Sequence, residues 1–220
     1  MKKGFILRIS FLQLILLLGV IFLPLSTVAQ SSSEENRIEH FAQTGISFSY
    51  SPHSFKAWGS IKNAKMALLK GQIWHTKMNL GDIETRWGSE LIMANWINYP
   101  LDGIGGPSDN RWGFGLIPFH LLIPLADGEI EPFAAFSVGA LYLNDRLPAY
   151  DGASINYLLD GGLGLNIPLP SNRTLQFGYK YQHLSNGNSR SENPGIDSHV
   201  FFLNLLFSPY NTALKQISIN

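Results

Sequence analysis

The sequence predicts an all-β fold, an eight-stranded antiparallel transmembrane β-barrel of the outer membrane. Three observations favour this fold: eight segments in which apolar and polar residues alternate, an N-terminal export leader, and the absence of cysteine. Eight is an even number that suits a small closed barrel, and closure leaves no strand edge unpaired in lipid. A soluble lipocalin-like barrel is the main alternative at this point.

The first 29 residues have the pattern of a secretory signal peptide. Three basic residues precede an apolar run over 9–25, and Ala29 ends a small-residue pattern typical of a cleavage site. An uncleaved membrane anchor is the alternative, which Pro24 near the end of the run disfavours. We therefore predict export to the outer membrane of a Gram-negative bacterium. The predicted parts are a signal peptide (1–29), a flexible N-terminal arm (30–43), a β-barrel domain (44–207) and a C-terminal tail (208–220).

Composition excludes several classes of function. Without cysteine the chain has no disulfide, no thiolate metal site and no lipid-anchored cysteine. Three of its 16 basic residues lie in the leader, so acidic residues outnumber basic ones in the mature chain and no basic stripe points to nucleic acid. His75 and His120 lie in different strands without metal-ligand spacing, and we read them as structural. We expect neither a metal nor an organic cofactor.

Period-two alternation and turn-forming residues locate the strands. Aromatic residues near strand ends predict the interfacial girdles of a membrane barrel; these residues are Trp74, Trp87, Trp96, Tyr99, Trp112 and Tyr142. The predicted strands lie near 44–51, 65–76, 84–98, 112–123, 131–143, 154–167, 173–185 and 197–207.

The last two strands place three chemically useful side chains on one face. In strand 173–185 the even positions carry Gln176, Lys180 and Gln182, which suit a polar lumen, whereas the odd positions are aromatic and suit lipid. His183 and Ser185 share the odd parity, as does Asp197 in the next strand. Consecutive strands pair directly, so a base, a nucleophile and an acid converge on one outside patch. Taken singly, His183 could be an interfacial residue and Ser185 the start of a turn.

The segment from His183 to Gly187, the loop end from Asn193 to Ser198 and the strand after it resemble the outer-membrane lipid A 3-O-deacylase family (PagL). A weaker similarity lies in Glu131-Pro132-Phe133, which leads into a glycine-containing strand. The resemblance covers the final third of the chain; the first two thirds agree only in strand number and texture. It implies an eight-stranded outer-membrane barrel whose Ser-His-Glu triad faces the lipid and removes the ester-linked acyl chain at position 3 of lipid A.

Carried over to this sequence, the resemblance implies a carboxylic ester hydrolase with Ser185 as nucleophile, His183 as general base and Asp197 as the orienting acid. Asp197 is one methylene shorter than the family's glutamate, and Glu192 in the preceding loop is a rival acid. The resemblance also implies lipopolysaccharide as substrate and, because family members are thought to dimerise, a second copy of the chain as a candidate partner. Candidate oxyanion donors are Asn186, Gly187, Asn188 and Asn193.

Two other functions remain open from the sequence. A non-catalytic outer-membrane barrel, either a structural protein or an adhesin, could bind lipopolysaccharide through the same polar patch without cutting it. A soluble periplasmic lipid-binding barrel is the third reading. Loss of turnover on replacing Ser185 would separate the esterase from the non-catalytic membrane barrel. Lipid-facing aromatic residues would separate both membrane barrels from the soluble one.

Overall fold

The computed structural model describes residues 38–147 and 151–208, and within them the chain forms a closed antiparallel barrel of eight long strands. Each long strand pairs with the next, and β1 closes the barrel on β9 from Thr44 opposite Phe207 to Tyr50 opposite Phe201. The two-residue strand β2 pairs with the start of β9, which β1 does not reach. The strands are β1 (Ile38–Ser51), β2 (Ser54–Phe55), β3 (Lys65–Leu80), β4 (Ile83–Pro100), β5 (Ser108–Pro124), β6 (Glu131–Leu147), β7 (Ala153–Leu169), β8 (Arg173–Ser185) and β9 (Ile196–Phe207).

The predicted all-β fold and strand number are confirmed. The strands extend beyond their predicted ends because main-chain pairing continues into polar residues that weaken the alternation. β1 begins at Ile38, within the predicted flexible arm, since Ile38 to His40 already pair with Met78 to Thr76 of β3. The predicted signal peptide and the tail beyond Ser208 lie outside the described residues.

Side chains alternate between an apolar outer surface and a filled interior. In β9, Phe201, Leu203 and Phe207 are exposed on the outside, whereas Phe202 and Asn204 between them are buried. Gln176, Lys180 and Gln182 of β8 are buried inside, in agreement with the face predicted for them. No helix long and apolar enough to cross a membrane occurs among residues 38–147 and 151–208.

The interior has three layers, which β3 crosses in order. Met66 and Leu68 belong to an apolar cluster at the end of the barrel that carries the loop between β8 and β9. Lys70 and Gln72 belong to a polar middle layer, and Trp74 belongs to a second apolar cluster at the other end. The middle layer holds ion pairs between Lys70 and Glu90 and between Lys180 and Asp160. Because a buried charge is tolerated only when it is paired, these contacts are a condition of the fold.

The predicted aromatic girdle is wrong at two positions. Trp74 and Tyr99 are buried in the interior, Trp74 against His120 and Tyr99 beneath the guanidinium of Arg111. Position near a strand end does not distinguish the two faces: Trp74 keeps the inward parity of β3, and a register shift between Ile92 and Asn95 of β4 brings Tyr99 onto the inner face. Trp96, Trp112 and Tyr142 are exposed on the outside, as expected for interfacial residues.

Candidate active site

His183 and Asp197 are directly opposite one another across the β8–β9 ladder. Side chains at opposed positions share a face, and here the pairing brings His183 Nδ1 to 2.6 Å from Asp197 Oδ1. A carboxylate can only accept a hydrogen bond, so Nδ1 carries the proton and donates it to Asp197. In the neutral imidazole this fixes the tautomer and leaves Nε2 as the acceptor, the form a general base requires.

The Asp197 carboxylate is held by four donors. Oδ1 accepts from His183 and from the Tyr181 hydroxyl at 2.7 Å. Oδ2 accepts from the backbone amides of Ala57 at 3.1 Å and Gly59 at 2.5 Å. With both oxygens satisfied, the carboxylate has one orientation, and its reach to His183 is complete with the shorter aspartate side chain.

A short segment, residues 54–61, supplies the two amides; we call it the strap. The strap starts as β2, where Phe55 pairs with Asp197 and Ser54 with Ser198. It then passes over the carboxylate and meets the end of the connection between β8 and β9, where Ser60 N donates to Pro194 O and Ile61 N to Gly195 O. Asp197 has the outward parity of a lipid-facing residue yet is 0% exposed, because the strap covers it.

Aromatic rings surround the imidazole on the outer side. Trp58, at the crest of the strap, contacts His183 edge-on with ring centroids 5.7 Å apart and Tyr181 at 5.9 Å. Trp58 itself is 73% exposed, so it adds apolar surface beside the histidine. Phe55 stacks on His199 at 4.1 Å, and the Tyr179 hydroxyl lies 2.6 Å from His199 Nδ1. The face around His183 is therefore an aromatic surface suited to hydrocarbon.

Ser185 lies two residues beyond His183 on the same face of β8, opposite Tyr157 of β7, and is partly exposed. Among the described residues no hydrogen bond joins Ser185 Oγ to His183. The predicted acid and base are thus brought together, while the predicted nucleophile is adjacent to them without direct contact. Catalytic hydrogen bonds are often long in the absence of substrate, so adjacency on one face is the relevant observation.

The loop between β8 and β9 begins with a tight turn. Ser189 N donates to Asn186 O, and Gly187 and Asn188 both have positive φ, at 62° and 61°. Two successive positive φ values define a turn that glycine and asparagine adopt at low cost. The turn presents the main chain immediately beyond Ser185.

The four candidate oxyanion donors differ in what they already bind. Asn186 is buried, its backbone amide donates to Asn193 Oδ1 at 2.9 Å and its side-chain amide donates to Glu192 O at 2.6 Å. Asn193 donates its side-chain amide to Asn188 Oδ1 at 3.1 Å. These amides are already used in hydrogen bonds that hold the loop between β8 and β9 together. The backbone amides of Gly187 and Asn188 take part in no hydrogen bond within the described part of the chain, so they are the donors left for a ligand.

The rival acid, Glu192, contributes to the loop through its main chain. Its carbonyl oxygen accepts from Asn186, whereas its side chain is exposed, with no hydrogen bond to His183 in the described ranges. Asp197 is therefore the acid that contacts the imidazole.

Two depressions flank this region. A small one adjoins Ser185 and is also lined by Leu147, Asn156, Asn193 and Gly195. A larger groove of about 660 Å³ lies at the end of the barrel between the strap, the β4–β5 loop and residues 192–194, and Ser185 does not line it. Within residues 38–147 and 151–208 no group of three or more His, Asp or Glu side chains is arranged to hold a metal ion.

Sequence reasoning missed the strap and the Tyr181 hydroxyl as partners of the acid. The odd parity of strand 173–185 puts Tyr181 on the outer face, but it gives no sign that the hydroxyl bonds to the acid. Segment 52–64 shows no strand alternation, and its bonds to Asp197 span 138 and 140 residues. The local signal in this segment is a pair of aromatic residues, Phe55 and Trp58.

Comparison with known proteins places this geometry in context. Residues 70–205 match the model of the family described as lipid A 3-O-deacylase (PagL). A crystal structure of the outer membrane enzyme PagL superimposes with a TM-score of 0.50 at 14% identity, covering 73% of this chain and 97% of that one. Neisserial surface protein A gives a TM-score of 0.44 at 9% identity, with 78% and 99% covered. No match was found among the curated proteins.

Proposed function

This chain belongs to the PagL family of lipid A 3-O-deacylases, and from that premise we propose that it is an outer-membrane serine esterase that hydrolyses the ester-linked acyl chain at position 3 of lipid A. The observation that carries the proposal is the His183–Asp197 pair on the outer face of the barrel, with Nε2 as the acceptor and a serine hydroxyl two residues away. Lipid A deacylation is the function of the family; the serine mechanism and the ester position are our proposal.

In the first half of the reaction, His183 Nε2 takes the proton of Ser185 Oγ as the oxygen attacks the ester carbonyl. The carbonyl oxygen becomes an oxyanion, for which we assign the backbone amides of Gly187 and Asn188 as donors. Collapse of this intermediate breaks the bond to the sugar oxygen, and His183 returns the proton to that oxygen. Asp197 keeps the imidazole in its tautomer and stabilises the imidazolium throughout.

In the second half, water replaces the sugar. His183 takes a proton from the water as its oxygen attacks the acyl-serine ester, and the second intermediate expels Ser185 Oγ, which recovers the proton. The products are the 3-deacylated lipid A and a free fatty acid. No metal or organic cofactor enters the scheme.

The position of the site fits a substrate in the outer leaflet. Outer-membrane barrels have short periplasmic turns and longer extracellular loops. The connections at the end bearing His183 and Ser185 span 52–64, 101–107, 148–152 and 186–195, while those at the other end span 81–82, 125–130 and 170–172. We therefore assign the site to the extracellular end, at the level where the glucosamine esters of lipopolysaccharide meet the acyl chains. A second copy of the chain as partner stays a prediction.

Mass spectrometry of lipid A tests the proposal. Purified lipopolysaccharide is incubated with the refolded barrel, wild type beside Ser185→Ala, and the lipid A is released and weighed. Wild type should remove one 3-linked acyl chain, and Ser185→Ala should remove none. Removal of a different chain would correct the ester position. Equal removal by both proteins would exclude Ser185 as nucleophile.

The second candidate is a barrel that binds lipopolysaccharide without cutting it, and the lack of a hydrogen bond between Ser185 and His183 is the observation that favours it. Retention of lipopolysaccharide by a folded wild-type barrel with no change in lipid A mass would select this reading. Heat-modifiable gel mobility verifies that the barrel is folded in each case.

A further inference from the structure

We propose that the strap is a positioning device for catalysis: the backbone amides of Ala57 and Gly59, together with the Tyr181 hydroxyl, fix the Asp197 carboxylate and so set the orientation of His183. The inference rests on the proposed function and goes beyond it, because it assigns residues outside the Ser185, His183 and Asp197 set. The strap also lies outside residues 70–205, the part of the chain that matches the family model.

The first step of the argument concerns the acid. An aspartate on the outer face of a membrane barrel is costly when it contacts hydrocarbon. The strap shields Asp197 from hydrocarbon and supplies the carboxylate with two main-chain hydrogen-bond donors. Main-chain amides of a pinned segment cannot rotate away, so they hold the carboxylate oxygen more firmly than an exposed side chain would.

The second step concerns how the strap itself is held. The backbone amides of Ser60 and Ile61 donate to carbonyl oxygens at the end of the β8–β9 connection. In addition, the Ser54 hydroxyl donates to Ile61 O at 2.8 Å and accepts from Ala64 N at 2.8 Å, which closes the base of the strap. Ser54 is buried. The strap is therefore anchored at both ends, and its crest over Asp197 has little freedom.

The third step concerns Gly59. A Cβ placed on Gly59 would lie 2.6 Å from the carbonyl carbon and oxygen of Gly195 and 2.9 Å from the nitrogen of Ile196. These are backbone atoms, so the clash cannot be relieved by turning a side chain, and the strap must move away from β9. Only glycine allows the amide at this position to approach Asp197 as closely as it does.

The final step concerns His183. Four donors share the negative charge of Asp197, and His183 is one of them. Removing one of the other three leaves the carboxylate less firmly fixed, so the imidazole that depends on it loses its single orientation and proton transfer from the serine slows.

The test compares two pairs of variants in the refolded full-length barrel with lipopolysaccharide as substrate. Gly59→Ala is matched by Gly105→Ala, because a Cβ on Gly105 meets nothing within 4 Å. Tyr181→Phe is matched by Tyr179→Phe, which removes a hydroxyl from the same face two residues away. We expect Gly59→Ala and Tyr181→Phe each to lower kcat by about tenfold to a hundredfold with KM within about twofold, the range of one hydrogen bond to a charged group. Both controls should stay within about twofold.

The split between kcat and KM distinguishes positioning from general damage, because a misplaced base lowers kcat while substrate binding is kept. A folded Gly59→Ala or Tyr181→Phe barrel with wild-type kcat would overturn the inference. If Gly59→Ala does not fold, the tyrosine pair decides alone.

A spectroscopic measurement separates this inference from the proposed function. In a histidine-labelled barrel the Nδ1 proton of His183, bonded to Asp197, should give a far-downfield NMR signal that Tyr181→Phe moves and Tyr179→Phe leaves unchanged. If wild type shows no esterase activity but the signal responds in this way, the positioning claim stands and the function fails. An unmoved signal in an active enzyme would contradict the positioning claim alone.

Discussion

Among the residues that the structure describes, the barrel contains two histidine–carboxylate pairs, one inside and one outside. Inside, His120 Nδ1 lies 2.8 Å from Glu90 Oε1; outside, His183 Nδ1 lies 2.6 Å from Asp197 Oδ1. The inner carboxylate is also bonded to Lys70 at 2.6 Å and to the side-chain amide of Gln72. Both carboxylates are fully buried, so pair distance and burial alone do not separate the two regions.

The difference lies in what else each histidine meets. The His120 side chain is 4% exposed and is covered by Trp74 at 4.5 Å between ring centroids. The His183 side chain is 17% exposed, faces the outside and has a serine hydroxyl two residues along its own strand. Under the proposed function, such a pair acts as a base only where substrate can reach it; inside the barrel the same kind of contact joins neighbouring strands.

Replacing the reacting groups should have the largest effect. Ser185→Ala and His183→Ala should each lower the rate of lipid A deacylation by ~10⁴-fold or more, because each removes a group that takes part in bond formation or proton transfer. His120→Ala in the inner pair is the matched change. A folded His183→Ala barrel that keeps its full rate would remove the distinction between the pairs.

Neutralising the outer acid should have the next largest effect. Asp197→Asn keeps the size of the side chain but loses the charge that holds the imidazole tautomer, and we expect the deacylation rate to fall by about 10²- to 10⁴-fold. Glu192→Gln, the matched change in the adjoining loop, should stay within about twofold. The opposite order would assign the acid to Glu192.

Neutralising the inner acid should affect stability and leave turnover alone. Glu90→Gln leaves the buried Lys70 ammonium without its carboxylate partner, which should lower the free energy of unfolding by about 3–5 kcal/mol. Urea unfolding followed by tryptophan fluorescence measures this loss. Turnover per folded molecule should be unchanged, and a loss of turnover without a loss of stability would place the inner pair in the reaction.

A third carboxylate, Asp102, gives the smallest expected effect. It lies in the β4–β5 loop and is exposed, and backbone amides of Ile104, Gly106 and Gly105 lower its pKa below the usual range. Because the folded pKa is lowered, its stabilisation of the loop is present above the unfolded pKa and is lost as the pH falls through the folded value. Asp102→Asn should therefore increase proteolysis of this loop at neutral pH and converge with wild type at acidic pH. Deacylation should stay within about twofold.

The sequence predicted the barrel because its signals are local. Alternation and turn residues within each strand indicated eight strands, and parity alone placed His183, Ser185 and Asp197 on the outside. Parity also put Gln176 and Lys180 in the interior, where they lie. Tyr99 shows the limit of this reasoning, since the register shift between Ile92 and Asn95 changes the face of the residues that follow without changing their neighbours in sequence.

The parts of the site that could not be predicted depend on long-range contacts. The strap reaches Asp197 from the other end of the chain, and no periodic pattern in residues 54–61 encodes that approach. Asn186 was a reasonable oxyanion candidate by residue type, but the structure commits its amides to Asn193 and Glu192. Residue type indicates which chemistry is available, and the three-dimensional contacts decide whether it is already used.

The most direct test of the central claim is covalent labelling with a serine-reactive fluorophosphonate, followed by peptide mass spectrometry. Attack by Ser185 Oγ on phosphorus expels fluoride and leaves a stable adduct, and His183 must accept the serine proton for the reaction to proceed. The account predicts one adduct, on Ser185, that is lost in His183→Ala and kept in His120→Ala. An adduct on another serine, or equal labelling of Ser185 in His183→Ala, would contradict it.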